Sequence, residues 1–100
     1  MPGNHSPRID RRSEPRLSAT GEVQLRLVSA PAQPFTGQLL DTARHGFRVI
    51  HDRRSLVSGD LVNFEFSGRR GLARAMWTRI SGKQVETGFR ICEERPPGAD

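Results

Sequence analysis

Three guanidinium groups crowd the stretch RRSEPR, as Arg11, Arg12 and Arg16, before any apolar pattern begins. A guanidinium is a planar fork of donors that grips a phosphate, or the O6 and N7 edge of guanine, through two parallel hydrogen bonds. The cluster therefore favours an anionic partner, although arginines in an unstructured arm also serve simply as solvated charge. The other reactive side chains assemble into nothing comparable. His5, His45 and His51 have no metal-ligand spacing. Glu93 and Glu94 fall in a polar tail with no pocket to raise a carboxyl pKa. Ser55 and Ser58 flank a turn that lacks a nucleophile elbow. No catalytic role is expected, and neither a metal nor a cofactor.

Composition agrees with a small binding module. One hundred residues suit one domain with a thin core, since apolar residues make up only 34% and mean hydropathy is −0.60. Sixteen basic residues against eleven acidic give a net charge of +5, and fifteen of the sixteen are Arg. Cys92 is the single cysteine, so no intramolecular disulfide can form and nothing points to an oxidising compartment. MPGNHSPRID has no apolar run like a secretory signal, and no window reaches the length of a membrane span. The expected location is cytoplasmic, without membrane insertion.

The elements that must position the arginines follow from hydrophobic alternation. Residues 1 to about 20 hold three Pro and four Arg with no apolar period, which reads as an irregular arm. Val23, Leu25 and Leu27 then alternate with Glu22, Gln24 and Arg26, a half-buried strand. FTGQLLD and GFRVIHD follow as strands joined by TARH, and RRSLVSGD is a turn-rich connection. LVNFEFS alternates again, GRRG reads as a turn, and LARAMWTRI and QVETGFRI pair across SGK. This register sets Ala73, Ala75 and Trp77 against Val85, Phe89 and Ile91, with Trp77 and Phe89 in the core. Six short strands without an amphipathic helix predict an all-β fold, a small six-stranded antiparallel barrel behind an irregular N-terminal arm. The expected divisions are a disordered segment 1–10, a barrel domain 11–92 that includes the arm 11–20, and a disordered tail 93–100.

A second stretch, DTARHG, carries Asp41, Ala43 and Gly46. Arg12 and Arg16 form RxxxR, and DTARHG follows at the interval of a [D/N]xSxxG element. In that order, with WTRISGKQVETGFRI as a closing hairpin, the chain from Arg11 to about Ile91 resembles the PilZ domain family. The resemblance implies a β-barrel that binds cyclic di-GMP, a second messenger with two guanines and two phosphates. Arg12 and Arg16 would then bond guanine edges or phosphates and stack on a purine face. Residues four apart span about 13 Å when extended, so the arm would have to curl over the ligand, with Pro15 setting the bend. Asp41 would accept hydrogen bonds from guanine N1 and N2, and Gly46 would permit a positive φ or a close ligand approach. An extra Arg11 before RxxxR resembles members that bind an intercalated pair, implying two ligand molecules per chain.

Ala43 departs from the family pattern, which has Ser there. One lost hydroxyl bond costs about 1 kcal/mol, or about five- to tenfold in affinity, so Ala43→Ser is expected to tighten binding. Three readings compete at this point. The chain is a cyclic di-GMP receptor acting through an unidentified downstream protein, a degenerate PilZ adaptor that binds no nucleotide, or a small barrel for single-stranded nucleic acid. The third lacks its stacking platform: aromatics number six, with no Tyr.

Overall fold

The computed structural model describes residues 16–96. All regular structure among them is β: β1 (Leu17–Ser18), β2 (Glu22–Leu27), β3 (Phe35–Ala43), β4 (Gly46–His51), β5 (Leu61–Phe66), β6 (Arg69–Ser81) and β7 (Gln84–Arg95). Every pairing is antiparallel, in the order β1-β3-β2-β5-β6-β7-β4, and β4 pairs back onto β3. Strands β2 to β7 thus close a six-stranded barrel, as the alternation predicts, and β1 is one strand more. The expected segment 1–10, with Arg11 and Arg12, lies outside the described residues.

Period-two burial builds the interior. Val23, Leu25 and Leu27 from β2 and Val62, Phe64 and Phe66 from β5 point inward. At the centre, Phe47 stacks on Phe89 at 5.1 Å and meets Phe64 and Phe66 at 5.0 and 4.9 Å between ring centroids. Each aromatic pair contributes about 0.5–1.5 kcal/mol beyond the area it buries. Leu56, from the connection 52–60, is also fully buried in this cluster.

Several boundaries differ from expectation, each for a backbone reason. Residues 17–19 are not free arm: Leu17 and Ser18 pair with Thr42 and Asp41, and the Ala19 N–H donates to the Leu40 carbonyl at 3.2 Å. Leu17 is 67% exposed, so main-chain bonds rather than burial hold this strand, and no apolar period announces it. The turn placed at GRRG is instead Ser67-Gly68, with φ of 48° and 79°, the left-handed pair of a tight hairpin whose twist matches its strands. Arg69, Arg70 and Gly71 accordingly belong to β6. Thr42 and Ala43 complete β3, which shortens TARH to a two-residue turn, Arg44-His45. Residues 93–95, expected in the tail, are strand, with Glu93, Glu94 and Arg95 paired to Leu72, Gly71 and Arg70. Residues 97–100 of that tail lie outside the described residues.

A polar group survives inside the barrel because it is fully bonded. His51 is buried; its Nδ1 accepts the Arg53 N–H at 3.0 Å, which puts the ring proton on Nε2, 2.8 Å from Thr87 Oγ1. Thr87 in turn meets Thr78 Oγ1 at 3.1 Å. Burial pushes the His51 pKa down, with the Arg53 charge adding to it and Asp52 opposing. The folded state therefore binds this proton less readily than the unfolded chain. The stability from neutral His51 is present above the unfolded pKa of about 6.5 and is lost as pH falls through the lower folded value. Urea midpoints should decline across that acid window in the wild type. In His51→Gln this part of the slope should be missing.

Candidate functional site

The site is built on the outer face of β3, β4, β7 and β6 by two irregularities in the ladders. Register passes from Leu39↔Val49 to Asp41↔Arg48, leaving Leu40 as an extra residue on β3. Such a bulge reverses which face later side chains take, and it sets Asp41 beside Arg48 on the outside. The Asp41 carboxylate is then shared. Arg16 donates to Oδ1 from Nε at 3.2 Å and Nη2 at 3.1 Å, and Arg48 donates to Oδ2 from Nε at 2.8 Å. Burial works against ionisation here, but hydrogen bonds from Arg48 and Arg16, with both positive charges, outweigh it and hold the Asp41 pKa below its ordinary value. Arg48 Nη1 also donates to Glu86 Oε2 at 2.8 Å, and Arg79 Nη2 to Glu86 Oε1 at 2.8 Å. Arg16, Asp41, Arg48, Glu86 and Arg79 thus form a row of alternating charge across four strands.

The second irregularity lies in β6. Ala75 pairs with Phe89 and Trp77 with Gly88, so Met76 is extra and Trp77 turns outward. This corrects the expectation of a core tryptophan: Trp77 is 40% exposed, while Ala75 and Phe89 do face inward. The indole lies over Gly88, where a Cβ would overlap Trp77 Cε2, Nε1 and Cζ2. The Arg79 guanidinium stands 6.0 Å from the ring centroid. One edge of the charge row is therefore an aromatic surface held in place by a missing side chain. Gly88→Ala is expected to lift the indole and to lower stability by about 1–3 kcal/mol, the usual range for overpacking. Because Trp77 is the single tryptophan, a red shift of its emission with easier quenching reads out the displacement directly.

The β3–β4 hairpin is held from a distance. Arg69, at the start of β6, donates to Thr42 Oγ1 at 3.1 Å, the Ala43 carbonyl at 3.4 Å and the Arg44 carbonyl at 3.2 Å. Its remaining donors hold Glu94 at 2.8 and 3.0 Å, which keeps the Glu94 pKa low. The Ile91 N–H bonds the His45 carbonyl at 2.8 Å from the β7 side. Gly46 is not a positive-φ residue; it is needed because a Cβ would come within 2.6 Å of the Phe89 carbonyl oxygen on β7. Ala43 is 7% exposed, so a hydroxyl added there would be almost enclosed.

Of the residues singled out in the sequence, Arg16 and Asp41 are brought together, Ala43 and Gly46 frame the adjoining turn, and Arg11 and Arg12 lie outside the described residues. Arg48, Glu86, Arg79, Trp77 and Arg69 were not anticipated. Arg48 reaches Asp41 seven residues away across the β3–β4 hairpin and Glu86 38 residues away, and Arg69 reaches Glu94 25 residues away, so no single-strand period reveals them. Among the described residues no three His, Cys, Asp or Glu side chains gather as metal ligands, and no helix is long and apolar enough to cross a membrane. No family model matches the chain, and no curated protein matches it.

Proposed function

We propose that this protein is a cyclic di-GMP receptor of the PilZ type, cytoplasmic and non-enzymatic, whose output passes to a partner protein. The observation that carries the reading is the Arg16–Asp41 ion pair at 3.1 Å. It joins Arg16 of RxxxR to Asp41 of DTARHG, 25 residues apart in sequence, and sets an exposed guanidinium fork over a carboxylate that is itself only 10% exposed. These two groups complement guanine: the fork matches O6 and N7, and the carboxylate matches the N1 and N2 donors. Arg48 and Arg16 keep Asp41 ionised, and release of Arg16 would uncover the carboxylate. Trp77 supplies a flat surface on which a purine can stack.

Ligand binding would be an exchange reaction. Arg16, whose side chain is 42% exposed, leaves the Asp41 Oδ1 for a phosphate or guanine edge, and the carboxylate turns its free lone pairs to the base. Arg16 directly precedes β1, which holds to β3 by main-chain bonds without a buried side chain. Moving the arginine therefore pulls on this two-residue strand at the edge of the barrel, and the surface offered to a partner changes.

Calorimetric titration with cyclic di-GMP, beside GTP and a short oligonucleotide, tests this against the nucleotide-free adaptor and the single-strand-binding barrel. Saturable binding of cyclic di-GMP alone is expected. The stoichiometry should be two per chain, because stacked ligands bring four phosphate charges together and Arg11 adds the positive charge they need. Arg11→Ala should reduce it to one. No heat with cyclic di-GMP, or preference for the oligonucleotide, overturns the receptor reading; a one-to-one endpoint in the wild type overturns only the pair.

A further inference from the structure

The arginine that holds the DTARHG turn reaches it across the end of the barrel, and three features of the ladders aim it there. Arg69 stands opposite Phe66 of the core, so its side chain takes the inner face, with the guanidinium 5.6 Å from the Phe66 ring centroid. Cys92 is the extra residue between the pairs Ala73↔Ile91 and Leu72↔Glu93. That bulge reverses the faces beyond it and brings Glu94 to the same side as Arg69. Gly71, directly opposite Glu94, leaves the space between them open; a Cβ there would overlap the Glu93 carbonyl oxygen.

A guanidinium has five N–H donors, and each of these meets an acceptor. Nε and Nη2 grip the two Glu94 carboxylate oxygens at 2.8 and 3.0 Å, which fixes the plane of the fork. Nη1 donates to Thr42 Oγ1 at 3.1 Å and the Ala43 carbonyl at 3.4 Å, and Nη2 to the Arg44 carbonyl at 3.2 Å. The hairpin is already closed by its own Ala43↔Gly46 pair and tied to β7 through the His45 carbonyl. The three bonds from Arg69 add orientation to a turn that is already closed. A trans peptide points its N–H opposite its carbonyl, and no peptide bond among the described residues is cis. Drawing the Ala43 carbonyl toward Arg69 therefore turns the Arg44 N–H away from the barrel end, at an exposed residue. We propose that Arg69, held in plane by Glu94, is a positioning residue of the cyclic di-GMP site: it sets the peptide between Ala43 and Arg44 so that the Arg44 N–H meets a ligand phosphate while Asp41, on the same hairpin, takes the guanine. The inference rests on the receptor reading above and adds to it a residue that touches no ligand. Groups that contact a ligand must be held to within about 0.5 Å, and that tolerance is what a fully bonded, planar tether supplies.

Calorimetry with cyclic di-GMP, together with NMR amide spectra of the ligand-free protein, tests it. Arg69→Met should weaken binding about tenfold, the loss of one hydrogen bond to a charged group, and should displace the Arg44 amide resonance while those of Val49 and Phe64 stay in place. Arg69→Lys keeps the charge without the fork and should recover part of the affinity. Glu94→Gln should fold as wild type, since the Glu94 side chain is 38% exposed, and should weaken binding about threefold. Combined with Arg69→Met it should add nothing, because Glu94 acts through Arg69. Val62→Ala lowers stability from the core of β5 without reaching the turn and should retain wild-type affinity. If Arg69→Met does not fold, Glu94→Gln decides alone, and wild-type affinity there overturns the proposal. Additive losses in the double variant, an unmoved Arg44 amide, or equal losses in Val62→Ala and Arg69→Met would also overturn it. A wild type that binds no cyclic di-GMP removes the receptor reading and this inference together; a wild type that binds, beside an Arg69→Met variant that binds equally well, removes the inference alone.

Discussion

Arg16→Ala is expected to weaken cyclic di-GMP binding by about a hundredfold or more while leaving the barrel folded. Charge-assisted hydrogen bonds are about twice as strong as neutral ones, and a bidentate fork contributes two of them. Losing them together corresponds to about 3 kcal/mol, or two powers of ten in affinity. The structural cost is small by comparison. With its Arg16 side chain 42% exposed, the Arg16–Asp41 pair is screened by solvent and contributes about 1 kcal/mol at most. Arg12→Ala, in the same motif, should lose binding to a similar extent. Arg16→Lys should fall between, because it keeps the charge but not the fork. Calorimetry for affinity and circular dichroism for the fold decide the matter, and wild-type affinity in Arg16→Ala would remove the arm from the site.

Asp41→Ala should be the more damaging substitution, because it acts on ligand and fold together. The carboxylate is the hub between Arg16 and Arg48, and without it Arg48 retains only Glu86. Cyclic di-GMP binding should drop below detection, since the guanine donors lose their acceptor. Stability should fall by about 1–2 kcal/mol, less than for a buried pair because both arginines are more than a third exposed. The ionised form is the stabilising one, so the pH dependence has a definite sign. With the folded pKa of Asp41 below its ordinary value, the contribution is present above the unfolded value of about 3.9 and disappears as pH falls through the folded one. Asp41→Asn should accordingly be less stable than wild type at neutral pH and should approach it in strong acid. This window opens at about 3.9 and that of His51 at about 6.5, so urea midpoints of the two variants across pH tell the groups apart. Parallel curves for Asp41→Asn and wild type would show that the carboxylate does not hold the two arginines as the geometry implies.

Much of the barrel was legible along the chain. The inward faces of β2 and β5 can be read from Val23, Leu25, Leu27, Val62, Phe64 and Phe66, because a half-buried strand must alternate to cover one side of a thin core. The turn regions were legible as well, since Gly59, Gly68 and Gly82 adopt positive φ where the chain reverses. So were two members of the candidate site, Arg16 and Asp41, each conspicuous as a charge at a motif position. These properties are local: residue type, period and φ preference belong to the chain before it pairs.

Tertiary structure alone decided the rest. An extra residue at Leu40 turns Asp41 outward beside Arg48, and one at Met76 lifts Trp77 out of the core where simple alternation placed it. A third, at Cys92, lets β7 continue to Arg95 along β6. A bulge is defined only against its partner strand, so no period within one strand can disclose it. For the same reason Arg48, Glu86 and Arg69 gave no signal, their partners lying on neighbouring strands whose register only the fold sets. The pairing of β1 is the plainest case: it is held by main-chain hydrogen bonds to β3, which every residue but proline can make and which therefore leave no mark on the side-chain pattern.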